Sequence, residues 1–71
     1  MSAHEQFCLA RAAEARHDAE TATLDNVRDR CLRSEAAWTE MASRAARTER
    51  LRIKTEAEKA SRALSAVLLT D

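Results

Sequence analysis

The chain of 71 residues contains neither glycine nor proline, and this absence restricts its fold more than any other feature. Tight turns and positive-φ positions usually need glycine, and helices usually stop at glycine or proline. Charged residues make up 34% of the chain and alanine is abundant, a composition that favours α-helix. We therefore predict an all-α protein in which residues 1–71 form a single helical domain.

Polar residues at two places mark the helix boundaries. Ser2 and Glu5 have the spacing of a capping box, in which the Ser2 hydroxyl accepts a hydrogen bond from the Glu5 amide. Further along, Asp25 and Asn26 make local side-chain hydrogen bonds that favour a turn, and Asp25 is predicted to cap the helix that follows. The predicted elements are helix 1 over about 3–22, a break at 23–25 and helix 2 over about 26–69.

Each predicted helix carries one face of small or apolar residues spaced alternately by three and four, which is typical of packed helices. On helix 1 this face consists of His4, Cys8, Ala12, Ala15, Ala19 and Ala22. On helix 2 it consists of Val27, Cys31, Ser34, Trp38, Met41 and Ala45. Folding the chain at the turn places small residues against larger ones and predicts an antiparallel helical hairpin.

Helix 2 is too long for helix 1 to cover. Its second half carries its own apolar stripe, turned by about a quarter turn from the first, which consists of Ile53, Ala57, Ala60, Leu64 and Val67. The predicted partner or oligomer interface is Leu32, Ile53, Leu64, Val67 and Leu68. Because a second copy can cover such a stripe, we predict a homodimer that forms a coiled-coil four-helix bundle. A different protein is the other candidate for this face.

A competing interpretation breaks helix 2 near residues 47–55. Thr55 and Glu58 match a second capping box, and a third helix that folds back from there would give a three-helix bundle. No glycine, proline or asparagine assists this break. The hairpin with one long helix is therefore the preferred prediction.

The residues that usually carry chemistry do not converge in this hairpin. Cys8 and Cys31 lie about 15 Å apart along the helices, too far for a disulfide. His4 and Cys8 share a helix face, but no third ligand approaches them, so we predict no metal site. Two helices with one short turn offer no concave catalytic site and no glycine-rich phosphate loop. We predict no enzymatic activity and no cofactor.

One basic segment indicates an alternative function. Four cations lie on one arc of helix 2, opposite the face towards helix 1: Arg44, Arg47, Arg50 and Lys54. Such an arc can contact the phosphates of a nucleic acid or an acidic partner. However, the chain has no net charge, Glu49 interrupts the segment, and no aromatic residue is interleaved for base stacking. A solvated face is the preferred interpretation, with nucleic-acid binding as the alternative.

The remaining features concern location and function. No apolar run approaches about 18 residues, and no signal-peptide pattern opens the chain. We expect a cytoplasmic protein that does not enter membranes. The predicted function is a non-enzymatic protein–protein interaction, as a small adaptor, regulator or assembly subunit that acts through self-association and the apolar C-terminal face of helix 2.

Several short motifs lie between Phe7 and Glu49: Arg11-Ala12, Asn26-Val27-Arg28, Cys31-Leu32-Arg33-Ser34-Glu35-Ala36-Ala37-Trp38 and Met41-Ala42-Ser43-Arg44-Ala45. This segment resembles small uncharacterised helical-hairpin proteins of GC-rich alphaproteobacteria. Those proteins place an aromatic residue, an Arg-Ala pair, a short turn, a Val-Arg pair and a second aromatic in this order. The resemblance implies a bacterial helical hairpin with no known activity.

Overall fold

The computed structural model describes residues 1–70, which form two α-helices in contact with each other. Helix α1 spans Ala3–Thr21 and helix α2 spans Asp25–Leu68. The predicted all-α hairpin is confirmed, and each predicted helix end lies within one residue of the observed one. Helix α2 continues unbroken through residues 47–55, so the alternative three-helix bundle is wrong.

The amino end of α1 has the predicted cap. The Ser2 backbone is extended, and its hydroxyl oxygen accepts a hydrogen bond from the Glu5 amide over 3.1 Å. This bond satisfies one of the amide groups that the first helical turn leaves without a partner, and the Glu5 carboxylate suits the positive end of the helix dipole. Helix α1 therefore starts where the capping box predicts.

The turn between the helices differs from the prediction in one respect. Asp25 is already the first residue of α2, and the preceding Leu24 occupies the cap position without a side-chain hydrogen bond. Instead of capping the helix, the Asp25 carboxylate accepts a hydrogen bond from Arg28 over 3.1 Å. The same guanidinium donates to the Ala22 carbonyl oxygen over 2.9 Å. Arg28 thus bridges the end of α1 and the start of α2.

The contact between the helices is made by small side chains. The buried hydrophobic residues are Cys8, Ala12, Ala15, Ala19 and Ala42. Four of them are members of the stripe predicted on helix 1, while His4 at the end of that stripe is exposed. The larger residues predicted to hold the hairpin, Val27, Trp38 and Met41, are only half-buried. The core is therefore thin, because alanine buries little area.

The face that α2 turns towards α1 is rotated from the predicted one. Ser34 is exposed, whereas Glu35 is half-buried and its carboxylate lies 3.6 Å from the Arg16 guanidinium of α1. Similarly, Ala42 is buried more deeply than its neighbour Met41. For Ala42 the physical reason is size, since an alanine stripe lets two helices approach closely only where the facing residue is also small. Glu35 is larger than Ser34 and is accommodated because Arg16 pairs with it. Bulky side chains then lie beside the contact.

The two helices differ greatly in length, at 19 and 44 residues. The molecule measures 73 × 14 × 11 Å, and its radius of gyration of 20.2 Å compares with about 11 Å for a compact domain of this size. From Arg50 to Thr70 every residue is exposed. Neither α1 nor α2 is both long and apolar enough to cross a membrane.

Alanine-to-leucine substitutions test the close helix contact. We expect Ala19→Leu to reduce the free energy of unfolding by about 1–3 kcal/mol, because the added side chain forces the helices apart. Ala10→Leu is the matched control on the exposed side of α1 and should change stability by less than about 0.5 kcal/mol. Urea unfolding at one fixed protein concentration, followed by circular dichroism, measures both. Equal effects of the two substitutions would contradict this packing.

Candidate interaction surfaces

The uncovered half of α2 carries the largest group of exposed apolar side chains. Ile53, Leu64, Val67 and Leu68 are 55%, 60%, 69% and 75% exposed. They lie on a helix that no other part of residues 1–70 covers beyond Glu49. Large exposed apolar groups of this kind usually mark an interaction site in a soluble protein.

These exposed residues continue the same face of α2 that α1 covers further back. Residues eleven positions apart form three series that run from the covered part of α2 into its exposed part. The series are Cys31, Ala42, Ile53 and Leu64; Glu35, Ala46, Ala57 and Leu68; and Trp38, Glu49 and Ala60. An eleven-residue repeat corresponds to about 3.67 residues per turn, so it stays on one side of a nearly straight helix. We call Ile53, Ala57, Ala60, Leu64, Val67 and Leu68 the distal face.

This continuity corrects the quarter-turn offset expected between the two stripes. The offset came from placing Ser34 and Met41 towards α1. In the structure Glu35 and Ala42 hold those places, which turns the covered face of α2 towards the distal face. One continuous side of α2 therefore contacts α1 over its first half and solvent over its second.

Leu32 does not join the distal face. It lies beside α1, is 37% exposed, and is separated from Ile53 by about 32 Å of helix. The residues eleven and twenty-two positions after Leu32 are Ser43 and Lys54, and both are polar. The structure brings together four of the five predicted interface residues on one helix half and leaves Leu32 apart.

The four predicted cations are all exposed. Arg44, Arg47 and Lys54 lie on the side of α2 that points away from α1, whereas Arg50 lies only about a quarter turn from the covered face. Arg44 and Arg47 both approach the Glu40 carboxylate, at 4.0 and 3.9 Å. Arg50 and Lys54 form no ion pair with the described residues, and together with Arg47 and Leu51 they line a shallow groove. The cationic arc is thus partly neutralised at its amino-terminal end.

Glu49 lies at the limit of the covered part of α2. Its carboxylate accepts two hydrogen bonds from Arg52, over 3.2 Å from Nε and 2.7 Å from Nη2. These bonds lower the pKa of the Glu49 carboxyl below its ordinary value and raise the pKa of Arg52. This bidentate pair satisfies the half-buried Glu49 carboxylate at the boundary between the part of α2 that α1 covers and the distal face.

A groove beside Trp38 is a feature that the sequence analysis missed. Phe7 packs edge-on against Trp38 with ring centroids 5.7 Å apart, and the Arg11 guanidinium lies 5.4 Å from the indole centroid. The open groove next to them has a volume of about 490 Å³ and includes His17 and Cys31 in its lining. Ala12 and Trp38 belong to the two faces predicted to pack together, and Arg11 precedes Ala12 in the chain; this proximity was the available signal.

Of the candidate metal ligands, His4 and Cys8 are in contact, while Cys31 lies apart from them. The His4 Nε2 atom lies 3.8 Å from the buried Cys8 sulfur, and Cys31 is half-buried elsewhere on the hairpin. Both cysteines are free thiols. Within residues 1–70 no group of three or more histidine, cysteine, aspartate or glutamate side chains could hold a metal ion.

Comparisons with protein-family models, with curated proteins and with solved structures find no match to this chain. The resemblance to alphaproteobacterial hairpin proteins therefore stays a prediction. Any functional proposal has to rest on the surfaces described above.

The Glu49–Arg52 pair gives a prediction about pH. We expect Arg52→Gln to return the pKa of Glu49 upwards to its ordinary range, because the lowering comes first from the Arg52 hydrogen bonds. Carboxyl-carbon NMR titration measures this, with Arg62→Gln as a control that leaves Glu49 unchanged. Since the folded-state pKa is lowered, the stabilisation from this pair is present above the ordinary carboxyl pKa and is lost as pH falls through the lowered value. An unchanged Glu49 titration in Arg52→Gln would contradict the pairing.

Proposed function

We propose that this protein is a non-enzymatic protein–protein interaction module that associates with itself through the distal face. The observation that carries the proposal is the uncovered half of α2, in which every residue from Arg50 to Thr70 is exposed while Ile53, Leu64 and Val67 form part of one apolar face. The assembly is a homodimer with four helices in all. It serves as a small adaptor, regulator or assembly subunit in the cytoplasm.

The energetics of an isolated helix support this proposal. Most helical stability in proteins comes from the packing of an apolar face, and short helices in water are marginal even with favourable sequences. The distal half of α2 has good helix formers such as Ala57 and Lys59, but nothing in residues 1–70 packs against it. A partner that covers the distal face would supply the missing packing.

The size of the distal face indicates how strong the association is. The distal face of each copy carries four large apolar side chains, Ile53, Leu64, Val67 and Leu68, and burying all eight in a dimer would contribute about 12–24 kcal/mol. Association costs about 4–15 kcal/mol in lost freedom and side-chain ordering. Because these ranges overlap, the proposed dimer is weak and concentration-dependent, which suits a regulated assembly.

The absence of enzymatic activity is part of the proposal. Catalysis needs a nucleophile, a base and a stabilising group held around a concave site. The groove beside Trp38 is open to solvent and is lined by residues of both helices on one side of the hairpin. Its cations Arg11 and Arg30 lie among the carboxylates Glu14 and Asp18, an arrangement typical of a solvated surface.

Sedimentation equilibrium under reducing conditions tests the self-association. We expect the mass to rise from monomer to dimer with concentration. Leu64→Asp should raise the dissociation constant at least about a hundred-fold, because it removes two buried leucines from each dimer. Ala66→Asp, two residues further on and on nearly the opposite side of α2, is the matched control and should leave the constant within a few-fold. A wild-type chain that stays monomeric at the highest concentration would refute the proposal.

Nucleic-acid binding through the basic arc is the alternative function. Arg50 and Lys54 are the cations without an ion-pair partner among the described residues, and they lie beside the exposed Leu51. The proximity of Glu40 to Arg44 and Arg47 weakens the arc as a phosphate-binding surface, since a carboxylate repels phosphate.

A salt series distinguishes the two functions. Filter binding to duplex DNA and to single-stranded RNA should detect no complex at low salt if the protein acts by self-association. Binding that falls steeply with salt, and that is lost in Arg50→Ala with Lys54→Ala, would favour the alternative. Ser61→Ala, which changes no charge on the same side of α2, controls for general surface effects.

A further inference from the structure

We propose that a second copy of this chain docks antiparallel on the distal face, with the two-fold axis at Ala60. The two α2 helices would overlap only over their uncovered halves, and each α1 would lie at an outer end of the assembly. This inference rests on the proposed self-association and adds its orientation and register.

The shared face of α2 restricts how a partner helix can lie. Helix α1 already occupies this face as far as about residue 47, and the distal face continues it. A parallel partner would lie along the whole of α2 and collide with α1. A fully overlapping antiparallel partner would collide in the same way. Only an antiparallel partner that ends where α1 begins avoids both collisions.

The register of the hairpin leaves room for such a partner. Arg11 lies over Trp38, and Arg16 pairs with Glu35, so facing residue numbers add up to about 50 and Ala3 lies level with residue 47. With the axis at Ala60, Leu68 of the second copy lies level with residue 52. About five residues of α2, or about 7.5 Å, then separate the two helix ends. The partner fits end to end with α1.

The lengths and charges of the helix ends agree with this arrangement. The uncovered part of α2 from Arg50 to Leu68 is as long as α1, at 19 residues. The carboxyl end of one α2 would meet the amino end of the other copy's α1. These ends carry opposite partial charges of the helix dipole, so their approach is favourable. The capped turn at Ser2 and Glu5 lies at this junction.

The distal face is complementary to itself in the antiparallel direction. With the axis at Ala60, Ile53 lies level with the second copy's residue 67, a valine, and Ala57 lies close to the level of residue 64, a leucine. Ala60 faces its own equivalent, so no bulky side chain holds the helices apart at the two-fold axis. Large residues thus face medium or small ones, as in a well-filled core.

Disulfide trapping tests the register. In a background with Cys8→Ala and Cys31→Ser, Ala60→Cys should form a disulfide-linked dimer under mild oxidation about ten-fold faster than Ala57→Cys, because pairing makes the thiols' effective concentration high. Two residues 57 would lie about 9 Å apart along the axis, beyond the reach of a disulfide. Mixing Ala57→Cys with Leu64→Cys chains should restore cross-linking, since these positions lie at nearly the same level.

Solution scattering of the unmodified chain gives a second readout that does not depend on the cysteine variants. The proposed dimer is a two-helix rod about 108 Å long, whereas a side-by-side four-helix bundle would keep the 73 Å length of one hairpin. Leu32→Asp should leave the dimer intact here and would dissociate a side-by-side bundle that uses Leu32.

The outcomes separate this inference from the function on which it rests. Rapid Ala60→Cys cross-linking with a long rod supports both. A dimer of about 73 Å that Leu32→Asp dissociates overturns the register while self-association stands. Equal cross-linking of Ala57→Cys and Ala60→Cys indicates a parallel dimer and also overturns it. A monomer at all concentrations overturns the register and the proposed function together.

Discussion

The close contact between the alanine stripe of α1 and the facing side of α2 determines the rest of this structure. Ala12, Ala15 and Ala19 bury little area themselves, but they allow the two backbones to approach. This close approach selects small residues such as Ala42 for the centre of the contact and moves Trp38 to its edge, where it packs with Phe7 and Arg11. The same close approach determines which side of α2 contacts α1, and this side continues beyond α1 as the distal face. A thin core and an exposed extension are two results of the same packing.

Because α2 is much longer than α1, this packing leaves part of α2 uncovered, and the functional hypothesis rests on that part. Helix α1 covers less than half of α2, and Glu49 with its partner Arg52 lies where the cover ends. Beyond this pair the same side of α2 offers Ile53 and Leu64 to solvent. The side of α2 that contacts α1 in the hairpin thus continues as an exposed apolar surface, and a second copy offers a complementary helix. This exposed apolar face is the physical basis for proposing self-association. Nucleic-acid binding is less favoured because half of the basic arc lies beside Glu40.

Much of the fold was predictable because its signals are local. The capping box at Ser2, the absence of glycine and proline, and the spacing of Cys8 with the alanines led to the observed helix bounds and to the buried side of α1. The rotation of α2 was not predictable from hydrophobicity. Met41 is more apolar than Ala42, and Glu35 is charged, yet close packing favours Ala42, and Arg16 satisfies Glu35. The Arg28 bridge replaced the expected Asp25 cap because it involves a carbonyl oxygen across the turn, a contact that depends on tertiary geometry.

Hydrogen exchange measured over a range of protein concentrations tests the central claim most directly, because it reports which part of α2 becomes covered. We expect the amides of residues 53–67 to exchange rapidly in dilute solution, where only the hydrogen bonds of an uncovered, fraying helix slow exchange, and to become protected as concentration rises. The amides of residues 31–46 should keep the same protection throughout, since α1 covers them within one chain. Protection of residues 53–67 that does not change with concentration would contradict self-association through the distal face.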